Sequence, residues 1–194
     1  MPIRESRFDS PCVTQLRVHR WAWVFPIWCV VCIISGLLMR SEISVPFVLR
    51  PIRVPDFLVI VTVTVVTYPL YDWLFTIGRT FPKERFLRIC RIVSSLILCA
   101  IPSIFGRDAL LAISFSLNLW AATVLGIAFL GFHAWLIPTL GGLAVFIAGG
   151  TDPSSAMGQY LTSYLALICG GVACIIASIV YIQRGPRVFR SALT

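Results

Sequence analysis

Six long, uninterrupted apolar runs dominate this sequence, at 21–39, 57–75, 92–106, 109–131, 134–150 and 160–182. A bilayer core about 30 Å thick is crossed by about 20 apolar residues in a helix. A membrane β-barrel would show alternating segments of about 10 residues, so continuous runs point to helices. The third run reaches spanning length only if its helix begins near Phe86 and Arg88 and Arg91 snorkel to the interface. Phe132 and His133 alone separate the fourth run from the fifth, which requires a tight turn. Composition agrees: 58% of the 194 residues are hydrophobic and 12% charged, against about 45–50% and about 25% in soluble domains. That leaves too little polar surface to clothe a water-facing globule. The predicted fold class is all-α, a polytopic membrane bundle of six transmembrane helices over 21–182. An interfacial segment, 1–20, precedes it and a basic tail, 183–194, follows.

An even number of crossings places both termini on one side. Of the sixteen basic residues, twelve fall in the compartments on that side, including Arg79, Lys83, Arg85, Arg88 and Arg91 after the second run. Four, Arg40, Arg50, Arg53 and Arg107, fall on the other. Basic loops stay in the cytoplasm, so both termini are expected there. Fifteen of the sixteen are arginine, a skew associated with GC-rich genomes, and the expected location is a bacterial plasma membrane. The first run exceeds the 7–15 residues usual for a signal peptide and lacks a small-x-small site near Met39, so it reads as a retained anchor.

Several chemistries lack their parts. Asp72 is the only ionisable residue inside the runs, three residues from the cytoplasmic end of the second, and beside Tyr71 and Trp73 it reads as interfacial rather than as a relay. His19 and His133 also fall at the cytoplasmic boundary. Cys29 and Cys32 form a CxxC pair, but no external cysteine pair or further ligand accompanies it. All seven cysteines lie in runs or on the cytoplasmic side, so no disulfide framework is expected. No GxxxxGK[ST] loop occurs, so active transport would need ATP hydrolysed by another chain. The chain is expected not to be an enzyme, to carry no cofactor or metal and to bind no nucleic acid.

Ala166, Gly170, Cys174 and Ser178 recur every fourth residue in the sixth run, the spacing that lets helices approach closely in lipid. Thr62, Thr64, Thr67, Ser114, Ser116 and Asn118 lend the second and fourth runs a mild polarity. Two readings stand: hydroxyls bonded to their own helix, or the lining of a substrate path, for which Asn118, Ser114 and Thr64 are the candidates. Asn118 is expected to be the hardest to satisfy locally. Gly141 and Gly142 interrupt the fifth run, and Asp152 with Pro153 resembles the start of a short external helix. A kinked single helix is the alternative. Residues 12–20 are weakly amphipathic, and 77–91 form the most charged segment, with Thr80 and Pro82 able to open a helix.

Together, the interfacial 12–20 segment, six spans with both ends inside, the basic 77–91 loop and the interrupted fifth run resemble the permease subunit of an ABC-2-type exporter. The C-terminal Tyr181-Ile-Gln-Arg-Gly-Pro-Arg187 is similar to short permease-like proteins of high-GC bacteria. The resemblance implies a separate ATP-binding cassette ATPase docked on the 77–91 loop and a second permease subunit, alike or different, with membrane lipids around both. Phe81, Arg85, Phe86 and Arg88 are then the partner-binding residues, because interface centres favour aromatic and arginine side chains. Two rivals are a substrate-binding membrane subunit of an energy-coupling-factor importer and a non-transporting assembly subunit. The bulky first run (Trp21, Trp23, Phe25, Trp28) counts against the importer.

Overall fold

The computed structural model describes residues 21–44, 51–71, 84–105, 109–150, 152 and 154–185. The 1–20 segment, Asp72, Phe81, Lys83 and residues 186–194 lie outside the described residues. The helices are α1 (Trp21–Leu37), α2 (Val54–Thr67), α3 (Glu84–Ala100), α4 (Ala109–Leu130), α5 (Leu136–Ile147), α6 (Ala156–Leu161) and α7 (Tyr164–Arg184). Short 3-10 turns, Tyr68–Leu70, Ile101–Phe105 and Gly131–Trp135, extend α2, α3 and α4. β1 (Glu42–Ile43) and β2 (Ile52–Arg53) pair antiparallel and form a small hairpin between α1 and α2. The fold is all-α in character.

Six apolar helices coincide with the six apolar runs. Three of them, Arg85–Ser103, Ala109–Leu130 and Tyr164–Arg184, have the length and apolarity of membrane spans. Trp21–Leu37, Val54–Leu70 and His133–Ile147 are shorter. This is the helix set of a membrane protein. The third helix begins at Glu84, so the second half of the expected docking loop, 84–91, is instead the opening of α3.

Local chemistry explains several boundaries. Gly131 adopts φ 60°, a left-handed conformation that costs glycine least, and opens the tight turn after α4. Gly141 and Gly142 do not break α5, which runs unbroken over Leu136–Ile147. A Cβ at Gly142 would collide with the Ile60 side chain, and one at Gly126 with Ile137. These glycines admit a neighbouring helix rather than ending their own. The short helix α6 does follow, but its N-cap is Ser155 rather than Asp152: the Ser155 hydroxyl accepts from the Gly158 amide at 2.8 Å. Asp152 instead closes the preceding turn, accepting from the Ser154 amide at 3.0 Å and hydroxyl at 2.7 Å.

Contacts fix the helix directions. Ser95 meets Trp120, Cys99 meets Ser116 and Ser103 meets Ala112, so α3 and α4 are antiparallel. Phe57 stacks on Phe146 and Phe115 packs against it at a tilt, which sets α5 antiparallel to α2 and α4. Asn118 contacts Ala166 near the start of α7, and Arg184 near its end lies over Phe129, so α4 and α7 run parallel. Tyr181 reaches Leu70, so α2 shares that direction. The hairpin turns α1 back against α2. Direction therefore alternates from α1 to α5 and on to α7. The start of α1, the end of α2, the start of α3 and the end of α7 share one end of the bundle, here called the arginine end. The hairpin and α6 occupy the other.

At the centre stands α4, packed against α2, α3, α5 and most extensively α7. Among the described residues, Trp120, Tyr181, Phe146, Ile52, Leu70 and Ile127 are the largest fully buried side chains of the core.

Candidate functional site

Among the described residues, polar chemistry beyond the turn before α6 gathers in the seams that hold α4 to α3 and α7 and at the arginine end.

On α3 and the 3-10 turn that extends it, Ser95, Cys99 and Ser103 recur every fourth residue and face Trp120, Ser116 and Ala112, also four apart, on α4. Trp120 Nε1 donates to Ser95 Oγ at 3.2 Å, and the Cys99 thiol points at the Ser116 carbonyl at 3.8 Å. Ser103 Oγ donates to Ser116 Oγ at 3.1 Å. With no competing water in lipid, such bonds staple helices, though each contributes only about 0.6 kcal/mol on average. This seam was not anticipated. Ser95, Cys99 and Ser103 share the every-fourth-residue spacing of Ala166, Gly170 and Cys174 in the last helix.

The α4–α7 seam holds the residues assigned to packing. Ala166, Gly170 and Cys174 are buried, and a Cβ at Gly170 would lie 2.9 Å from Asn118 Nδ2 and 3.3 Å from Leu117 Cβ. Ser178 is half-buried at the edge, and Ala177 takes its place in the seam. The reason is angular: at about 100° per residue, each step of four drifts by about 40°, and a step of three restores the face. Cys174 and Ala177 supply that shorter step. The buried row then continues to Tyr181, whose hydroxyl donates to the Leu70 carbonyl at 2.7 Å. At the other flank, Trp28 of α1 donates to the Leu98 carbonyl of α3 at 2.8 Å.

The three path candidates take other roles. Asn118 Nδ2 donates to the Ser114 carbonyl at 2.8 Å and the Ala166 carbonyl at 3.2 Å. Its amide is thus met one turn back on its own helix and across the seam, contrary to the expectation that local partners would not serve. Thr64 donates to the Ile60 carbonyl at 2.8 Å, the intrahelical pattern. Among the described residues Ser114 Oγ has no hydrogen-bond partner, and its side chain is wholly buried. Thr67 and Thr123 bond their own helices, as Thr64 does.

The expected partner-binding residues separate at the arginine end. Arg88 turns inward, and its Nη1 donates to the Ile182 carbonyl at 3.1 Å. That carbonyl belongs to the last turn of α7, where helix carbonyls lack intrahelical donors and a cation is favoured. The guanidinium lies 2.8 Å from where a Cβ on Gly185 would sit, and Gly185 itself has φ 70°. Only glycine meets both conditions. Arg85 and Phe86 are exposed, Phe86 at 62%. Phe86, Ile89, Val93 and Ile97 share the outward stripe of α3, so Phe86 continues the apolar face of a spanning helix. Arg184 is exposed with its guanidinium 5.0 Å from the Phe129 ring centroid, a cation–π contact.

The six described cysteines, Cys29, Cys32, Cys90, Cys99, Cys169 and Cys174, are free thiols. Among the described residues no group of three or more His, Cys, Asp or Glu is arranged to hold a metal ion. Comparison with protein-family models, with curated proteins and with solved structures finds no match to this chain.

Proposed function

We propose that the chain is a permease-type subunit of a bacterial plasma membrane, crossing it six times with both termini in the cytoplasm and coupled to a separate ATP-hydrolysing partner. The observation that carries this reading is the pairing of a charged end with a short-helix end. Helix direction alternates along the chain. Arg85, Arg88, Arg91 and Arg184 gather at one end, while α6 sits at the opposite end between α5 and α7, as the exporter resemblance implies. The positive-inside rule makes the arginine end cytoplasmic. The docking surface is then the loop leading into α3, ahead of Arg85, because Arg88 is engaged within the bundle and Phe86 lies on the outward stripe. A substrate path would form between this chain and a second permease subunit, since Asn118 and Thr64 are taken up in helix packing.

A second reading, a non-transporting assembly subunit, is favoured by that same use of the polar side chains: every described polar contact on α4 serves to hold helices together or to satisfy its own helix. One measurement tests the topology and a second separates the readings. With Lys83→Cys in a background lacking other cysteines, an impermeant thiol reagent should label only from the cytoplasmic side; labelling from outside overturns the six-span topology. Affinity purification of the full chain from its host in mild detergent should bring down an ATPase whose turnover the chain alters. A chain that repeatedly purifies with membrane proteins but without an ATPase is an assembly subunit.

A further inference from the structure

We propose that the seam between the start of α3 and the end of α7 is a binding site for an anionic phospholipid, its phosphate held between Arg85 and Arg184 and its acyl chains along Phe86, Ile89 and Val93. The inference requires only that α3 and α7 cross the membrane and is independent of any ATPase.

The seam is fixed in place by the Arg88 bond to the Ile182 carbonyl and by the close approach of its guanidinium to Gly185. Arg85 stands one turn before Arg88 on α3, and Arg184 directly precedes Gly185 on α7. Both are exposed. Arg184 is also partly immobilised over Phe129, which lowers the entropy lost when it takes a ligand. Guanidinium groups suit phosphate because their planar fork can donate two parallel hydrogen bonds.

Charge and shape choose the ligand. Glu42 and Asp56 lie at the hairpin end and Asp152 beside α6, away from this seam. Against Glu84, the arginine end carries Arg85, Arg88, Arg91 and Arg184 among the described residues. A soluble anion would satisfy the arginines and leave the adjoining face unused. Phe86, Ile89 and Val93 are 62%, 42% and 47% exposed and form a strip leading from Arg85 toward the membrane centre. A phosphate joined to acyl chains matches both halves of that surface, and the net positive charge selects an anionic headgroup over a zwitterionic one.

The purified full-length chain, reconstituted in nanodiscs of phosphatidylcholine with or without phosphatidylglycerol, tests this. Native mass spectrometry of chain released from the mixed discs should show retained phosphatidylglycerol, and its thermal midpoint should rise with that lipid. The Arg85→Gln/Arg184→Gln double variant should weaken retention on the order of thirty-fold, two charges at about fivefold each. Arg53→Gln at the hairpin end should retain the lipid as wild type does, and Arg85→Lys/Arg184→Lys should keep most of the binding, which covers the case in which the Gln variant does not fold. Equal retention of both lipids, or retention lost equally in Arg53→Gln, overturns the site. Millimolar inorganic phosphate should not replace the lipid in raising the midpoint; if it does, the seam is a free-anion site and the lipid assignment fails.

Discussion

Helices α4 and α7 are nearly equal in length, 22 and 21 residues, and lie side by side in parallel, yet their surroundings invert the order expected in water. The most apolar stretch of α7 is more apolar than that of α4, yet only 28% of it is buried, against 67% for α4. The central helix carries Ser114, Ser116, Asn118 and Thr123, while Ile168, Val172, Ile175 and Ile179 of α7 point outward. In water the hydrophobic effect drives the most apolar helix inward. In lipid that force is absent between helices, and packing of small residues with internal hydrogen bonding decides which helix is central. The arrangement is stable only where the medium around α7 is itself apolar.

The harshest test of that comparison attacks the outer face. Ile175 is 63% exposed on α7. Near the middle of a span, replacing isoleucine by lysine changes the insertion free energy by roughly 3–4 kcal/mol. Ile175→Lys should therefore sharply reduce the membrane-integrated fraction, measured by carbonate extraction of expressing cells. If the variant integrates as well as wild type, α7 does not face lipid at that position.

Next in size is a contrast between adjacent glycines. At Gly170 a side chain meets Asn118 and Leu117, whereas a Cβ on Gly171 has nothing within 4 Å. Gly170→Leu should destabilise by about 1–3 kcal/mol, the ordinary cost of overpacking. Gly171→Leu should stay within about 0.5 kcal/mol of wild type, as a surface change would. Thermal unfolding of both variants in the same detergent provides the comparison, and equal midpoints would remove the α4–α7 seam from its central place.

A third test concerns the arginine end. Gly185→Ala would place a methyl group against the Arg88 guanidinium and force a left-handed φ on alanine. A left-handed conformation alone costs an L-residue about 1–2 kcal/mol, so protection of the last turn of α7 from hydrogen exchange should fall. Unchanged exchange there would show that Arg88 does not hold the helix end.

Much of this architecture was legible because lipid imposes a simple rule, that backbone polar groups must be satisfied within helices. Long apolar runs therefore mark helix positions directly, and Ala166, Gly170 and Cys174, spaced four apart, are buried. Side-chain partners were less legible. Asn118 reads as an awkward polar group in one dimension, yet it bonds the Ser114 carbonyl one turn back as well as the Ala166 carbonyl 48 residues away. Gly141 and Gly142 read as helix breakers by propensity, but Ile60 of another helix determines what a glycine at 142 is for. Arg88 reads like any interfacial arginine until the end of α7 is placed beside it. For Gly142 and Arg88 the missing information is a long-range partner that no local pattern encodes.

The smallest expected effect is the most specific, because it asks whether the α3–α4 seam is held by its hydrogen bonds or by its shape. Trp120 is fully buried, and its indole N–H donates to Ser95 Oγ, which in turn donates to the Ile92 carbonyl at 3.0 Å. Ser95→Ala removes the acceptor and leaves the indole donor buried without it. Trp120→Phe removes the donor but also trims the ring, so packing loss contaminates its single-variant cost. A double-mutant cycle separates the two, because the packing loss appears in both arms and cancels if the variants do not create new contacts. Measured interhelical bonds in membrane bundles average about 0.6 kcal/mol and reach about 1.7 kcal/mol. The coupling between Ser95→Ala and Trp120→Phe should fall in that range and carry a favourable sign. A coupling of zero would mean that α3 sits against α4 because Ser95, Cys99 and Ser103 are small, and that their polarity is incidental to the fold.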